Sequence, residues 1–108
     1  MQFALRVLKM ADALPRTVAG RTVSAQLARC GTSVAANYRA ALRGKSRADF
    51  INKITIVLEE ADETEFWIEL SERGELLPRT RLEPLREEAA ELVRIFNATR
   101  TTAKNRKS

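Results

Sequence analysis

Residues 46–74 read SRADFINKITIVLEEADETEFWIELSERG, and the spacing of their apolar side chains decides the fold. Phe50, Ile54, Val57, Ala61, Thr64 and Ile68 step 4-3-4-3-4, the period of one face of a helix. Ser46 stands where a helix N-cap belongs, Asp49 follows at the third position as in a capping box, and Gly74 stops the run. Ile51, Leu58, Phe66, Trp67 and Leu70 widen the stripe, so this helix is expected to touch neighbours on more than one side.

The same period extends in both directions. Upstream, the spacing predicts a helix over about residues 21–43, with Val23, Leu27, Cys30, Val34, Asn37 and Ala41 on its seam. Small residues crowd it. Gly31 in its interior costs about 1 kcal/mol relative to Ala, a loss that close approach of a neighbouring helix would offset. Gly44 is expected to end it in the left-handed conformation. A shorter helix over 2–13 carries Phe3, Val7, Met10 and Leu14 on one face, and 14–19, interrupted by Pro15, reads as a connection. Downstream, Pro78 and Pro84 frame the start of a fourth helix with Leu82, Leu85, Ala89, Leu92, Phe96 and Thr99 on its face. Four helices and three short connections predict an all-α, antiparallel, up-down-up-down four-helix bundle over residues 1–100. Residues 101–108, polar and basic, are expected to form a disordered tail.

Composition agrees. The 108 residues hold only four Gly and three Pro, too few turn formers for a sandwich or barrel. There is no His, so the commonest general base and the commonest metal ligand are missing. The single cysteine, Cys30, excludes an intrachain disulfide; on the apolar seam it reads as a buried structural thiol rather than a nucleophile. The amphipathic N-terminus resembles neither a signal peptide nor a membrane span, so a cytoplasmic protein is expected. Asn97-Ala98-Thr99 matches a glycosylation acceptor by chance in such a chain.

Charge is segregated. Residues 1–47 hold nine basic side chains against Asp12 alone, a net of +8. Residues 48–93 hold five basic and thirteen acidic side chains, a net of −8, and the last fifteen residues carry +5. Such polarity bears on association, with another copy or with a polyanion. The acidic cluster around Glu59, Glu60, Asp62, Glu63, Glu65 and Glu69 lacks the Glu-x-x-His pairs of bundle metal sites, and reads as a solvated or interface-facing surface. Ser33 and Asn37 lie one turn apart; Asn37, polar on an apolar seam, reads as fixing register or subunit pairing. Arg39, Arg43, Lys45 and Arg47 straddle the second connection. With Arg29, Lys53 and the tail they are the candidates for phosphate contact, without base stacking, because only Tyr38 is nearby.

These residues also carry a resemblance. Arg29–Ala41 (RCGTSVAANYRAA) resembles the second helix of the 23S rRNA intervening-sequence proteins, whose pattern Arg-x-Ala-x-Ser-x-x-x-Asn-x-x-Glu-Gly meets Arg29, Ser33 and Asn37 here. Lys45, Ser46, Asp49 and Phe50 follow, and then Glu60–Trp67 (EADETEFW), Leu70 and Gly74, so the likeness spans most of residues 14–77. The chain departs from it at Ala40-Ala41, which replace Glu-Gly, and in lacking an aromatic-containing opening before the first helix. The resemblance implies a pentameric barrel of bundles with a central channel. Its relatives include the accessory variability determinant proteins of diversity-generating retroelements, which bind nucleic acid and a reverse transcriptase. It makes Ser33, Asn37, Glu63 and Trp67 the residues for oligomer specificity.

The expectation is therefore a homo-oligomer without cofactor or catalysis that binds RNA or DNA through Arg29, Arg39, Arg43, Lys45, Arg47 and Lys53, with a reverse transcriptase as the further partner that the resemblance implies. The rival is a protein-interaction scaffold in which the +8 and −8 segments pair between subunits, with Arg39 and Arg43 on a neighbour's carboxylates.

Overall fold

Thr17 and Ser46 start the two helices at the centre of the molecule. In the computed structural model, which describes residues 1–106, the order is α1 (Gln2–Ala13), α2 (Val18–Leu42), α3 (Arg47–Arg73) and α4 (Arg79–Asn105). The Ser46 hydroxyl accepts from the Asp49 amide at 3.1 Å, the cap read from sequence. Thr17 does the same for Gly20, which starts α2 three residues earlier than the apolar spacing alone indicated.

Consecutive helices pack antiparallel, α3 between α2 and α4, in a body 50 × 20 × 19 Å. Leu27, Ile54, Val57, Ile68 and Leu82 are fully buried and form the core with Val7 of α1. α1 and α2 approach closely at Gly31, where an added Cβ would come within 2.5 Å of Val7 Cγ1. The small residue thus does what its cost in helix propensity demanded. Thr64 and Ser71 are the buried polar side chains among the described residues. Their hydroxyls donate to the Glu60 and Trp67 carbonyls at 2.7 and 2.8 Å.

Three sequence expectations change. Gly44 is not left-handed; the positive φ near a helix end belongs to Glu75 (φ 55), one residue past Gly74. Residues 101–105, expected to be disordered, continue α4: Ala103 is buried, and the Arg47 guanidinium donates to the Arg106 carbonyl, satisfying an acceptor at the helix end. Lys107 and Ser108, the rest of that expected tail, lie outside the described residues. Asn37 is not a core residue. It is half-buried at the edge of the seam, and its amide donates to the carbonyl and the hydroxyl of Ser33, both at 2.9 Å.

The helices are unequal in length. α1 has 12 residues, about 18 Å at 1.5 Å per residue, whereas α3 and α4 have 27, about 40 Å. α1 lies along α2 from its start to beyond Gly31, which sits under Val7, and the Ala11 carbonyl accepts from the Ser24 hydroxyl. Past that point the bundle is three helices.

Candidate nucleic-acid interface

Antiparallel packing brings the end of α2, the start of α3 and the end of α4 to one end of the molecule. Arg39 and Arg43 come from the last turn and C-cap of α2, Lys45 from the connection, and Arg47 and Lys53 from the first turns of α3. Arg100, Lys104 and Arg106 come from α4. Across residues 39–53 and 96–106 the single acid is Asp49. Among the described residues, none of the eight cations forms a salt bridge, while eight pairings tie up cations elsewhere, such as Arg86 with Glu72 at 2.9 Å. Lys104 in the last turn of α4 and Arg39 in that of α2 suit the negative ends of the helix dipoles. That accounts for some of the charge but leaves Lys45, Arg47 and Lys53, at the positive end of α3, with no such partner.

Arg29, also a candidate for phosphate contact, sits elsewhere. Its guanidinium donates to Glu60 at 3.1 Å and to Glu63, and to Gln26 at 3.1 Å. The Trp67 indole N–H donates to the same Glu63 at 3.3 Å. The Arg29 hydrogen bond, supported by Trp67, holds the Glu63 carboxyl below the usual carboxylate range against the opposing effect of burial. Ser33 and Asn37 follow Arg29 at one-turn intervals along α2, and Glu63 and Trp67 are one turn apart on α3. The residues expected to set oligomer specificity therefore lie along α2 and α3 with Arg29, joined across the two helices by the Arg29–Glu63 pair.

The remaining chemistry is sparse. Among the described residues no group of three or more Cys, Asp or Glu could hold a metal ion. Cys30 is fully buried, with its Sγ 3.1 Å from the Thr64 hydroxyl, and burial pushes its thiol up, away from a reactive thiolate. A cleft between α1 and α4, floored by Met10 and Leu85, measures about 240 Å³, below the usual range of small-molecule sites. Among the described residues no helix is long and apolar enough to cross a membrane.

The sequence pointed to Arg39, Arg43, Lys45, Arg47 and Lys53, and the fold collects them. It did not single out Arg100, whose guanidinium donates to Thr55 of α3 at 2.9 Å. The available signal was topological: in an up-down-up-down bundle the end of α4 returns beside the start of α3.

The family described as 23S rRNA-intervening sequence protein matches residues 1–98. A crystal structure of a protein of unknown function from the S23 ribosomal protein family of Bacteroides thetaiotaomicron VPI-5482 is 37% identical, covers 92% of each chain and superposes with a TM-score of 0.85. No curated protein matches the chain.

Proposed function

The chain belongs to the 23S rRNA-intervening sequence protein family, and from that premise we propose that it is a non-enzymatic homo-oligomer, a pentamer, that binds RNA or DNA by its phosphates. The observation that carries this reading is the end formed by α2, α3 and α4, where eight cations without ion-pair partners among the described residues face one acid. Such a surface neutralises phosphates without reading bases, since Tyr38, the aromatic beside the basic run, has its ring on Phe96 at 5.5 Å. Self-association uses the face of Ser33, Asn37, Glu63 and Trp67. A reverse transcriptase is the protein partner that the retroelement relatives suggest. Arg29, engaged by Glu60 and Glu63, contributes to the oligomer face rather than to phosphate contact.

The test is the ultraviolet absorbance of the protein purified under native conditions. It is expected to carry nucleic acid, with absorbance at 260 nm above that of the bare chain, that leaves with added salt. A preparation free of nucleic acid at low salt that also takes up none when RNA is added contradicts the proposal.

A second reading, a protein-interaction scaffold without nucleic-acid binding, draws on the same Arg29 pairing: basic and acidic segments already meet across α2 and α3. It predicts that Arg39→Glu with Arg43→Glu breaks the oligomer on a sizing column, whereas the first reading predicts loss of RNA binding.

A further inference from the structure

α1 packs close on α2, where Gly31 lets Val7 in, and stands off from α4, so an open cleft runs between α1 and the early turns of α4. Its floor is apolar: half-buried Met10 of α1, with Pro84 and buried Leu85 of α4. Its rim is basic. Arg6 closes one end by donating twice to Glu88, from Nε to Oε1 at 2.9 Å and from Nη2 to Oε2, which engages both oxygens of the one acid in the lining. Lys9 and Arg81 stand exposed on the rim and form no salt bridge among the described residues. Three cations against one carboxylate leave a net charge of +2 around the cleft. Pro84 has no N–H, so the Thr80 carbonyl that points at it along α4 lacks its helical donor. At about 240 Å³ the cleft has room for a single large side chain and not for a drug-sized ligand.

We propose that this cleft docks an acidic segment of a partner protein: one aromatic or large aliphatic side chain of the segment packs on Met10, Pro84 and Leu85, and carboxylates on either side of it meet Lys9 and Arg81. Charge complementarity selects the occupant. A basic or neutral segment would leave both cations unmet beside apolar surface, and a nucleic acid would gain phosphate contact from the rim but nothing from the apolar floor. A buried apolar anchor ringed by polar contacts is how a small interface concentrates its affinity. The backbone N–H groups of the docked segment are donors of the kind that the Thr80 carbonyl lacks. The cleft lies toward the opposite end of the rod from the basic residues of α2, α3 and α4; Glu88 and Arg100 are 12 residues apart on α4, about 18 Å. It acts beside the proposed phosphate surface and depends neither on that surface nor on self-association.

The probe is a fluorescein-labelled pentapeptide, Asp-Glu-Phe-Glu-Asp, titrated with the full-length protein at about 150 mM salt, where attraction between distant exposed charges is screened. Binding is read by anisotropy and, with unlabelled peptide, by the methyl resonances of the two methionines. Met10 floors the cleft, and Met1, 78% exposed before the start of α1, is the internal reference. The expected result is saturable binding below about 1 mM with a shift of the Met10 methyl and not of Met1. Binding is expected to weaken about tenfold when Ser replaces the Phe of the probe, and about tenfold again for the intact probe on Lys9→Glu combined with Arg81→Glu. Both positions are exposed, and circular dichroism checks that the variant remains helical. Lys45→Glu with Arg47→Glu, at the other end, is expected to bind the peptide as wild type does. No saturable binding, a Met10 methyl that does not move, or a loss that follows the basic end rather than the cleft overturns the proposal and leaves the phosphate reading standing. A cleft variant that changes the oligomeric mass on a sizing column shows that a second copy covers the cleft, and overturns it as well.

Discussion

Gly31 shows how one residue sets the distance between two helices. Alanine there would improve helix propensity by about 1 kcal/mol, yet its Cβ would come within 2.5 Å of Val7 Cγ1. We expect Gly31→Ala to lower stability by about 1–3 kcal/mol in a denaturant titration, and Val7→Ala in the same chain to recover part of that loss by making room. A stabilised Gly31→Ala would mean that α1 does not sit close on α2. Glu63 gives a pH test. Its folded carboxyl titrates below its unfolded value, chiefly through Arg29, so the stability it contributes is present at neutral pH and lost as pH falls through the folded value. Thermal melts of wild type should therefore fall more steeply between about pH 6 and about pH 3 than those of Glu63→Gln, which cannot protonate. Equal slopes would show that the Arg29 pairing contributes nothing to folding.

At the scale of elements, ends matter more than middles. Glu75 adopts the left-handed conformation where α3 gives way to its turn, while Gly74 one residue earlier has φ −81. Glu75→Gly should raise stability by about 0.5 kcal/mol, the removed strain less the added freedom of the unfolded chain, and melting temperature reads it directly. Ser46→Ala should cost about 1 kcal/mol by leaving the Asp49 amide without its acceptor. These ends also show what was legible in the sequence. α3 could be read to the residue because its cap, its stripe and its stop agree. α2 could not, since Thr17 looks like an ordinary connection residue until its hydroxyl is seen on Gly20. The end of α4 was misread because Thr, Lys, Asn and Arg are polar everywhere; what keeps 101–105 helical is Ala103 packed inward and Arg47 reaching from another helix. Asn37 misled in a different way: its spacing follows the seam, but an amide that can bond within its own turn has no need of the core.

For the whole molecule, topology turns a dispersed sequence signal into a surface. The basic residues of 39–53 and 100–106 are far apart in the chain and lie at one end of a 50 Å rod, while the carboxylates of α3 occupy its middle. The sequence made the sign and the segments visible but could not show that Arg29 belongs with the carboxylates, because that pairing depends on the register of α2 against α3. The proposed neutralisation of phosphates by the basic end is read by titrating labelled single-stranded RNA at about 50 and about 200 mM salt, with wild type and with Lys45→Glu and Arg47→Glu combined. For six phosphate contacts on a single strand, affinity should fall by about 300-fold between the two salt concentrations, and the charge-reversed protein should bind more weakly with a shallower salt slope. No binding at low salt, a binding constant indifferent to salt, or a variant that matches wild type would contradict the account.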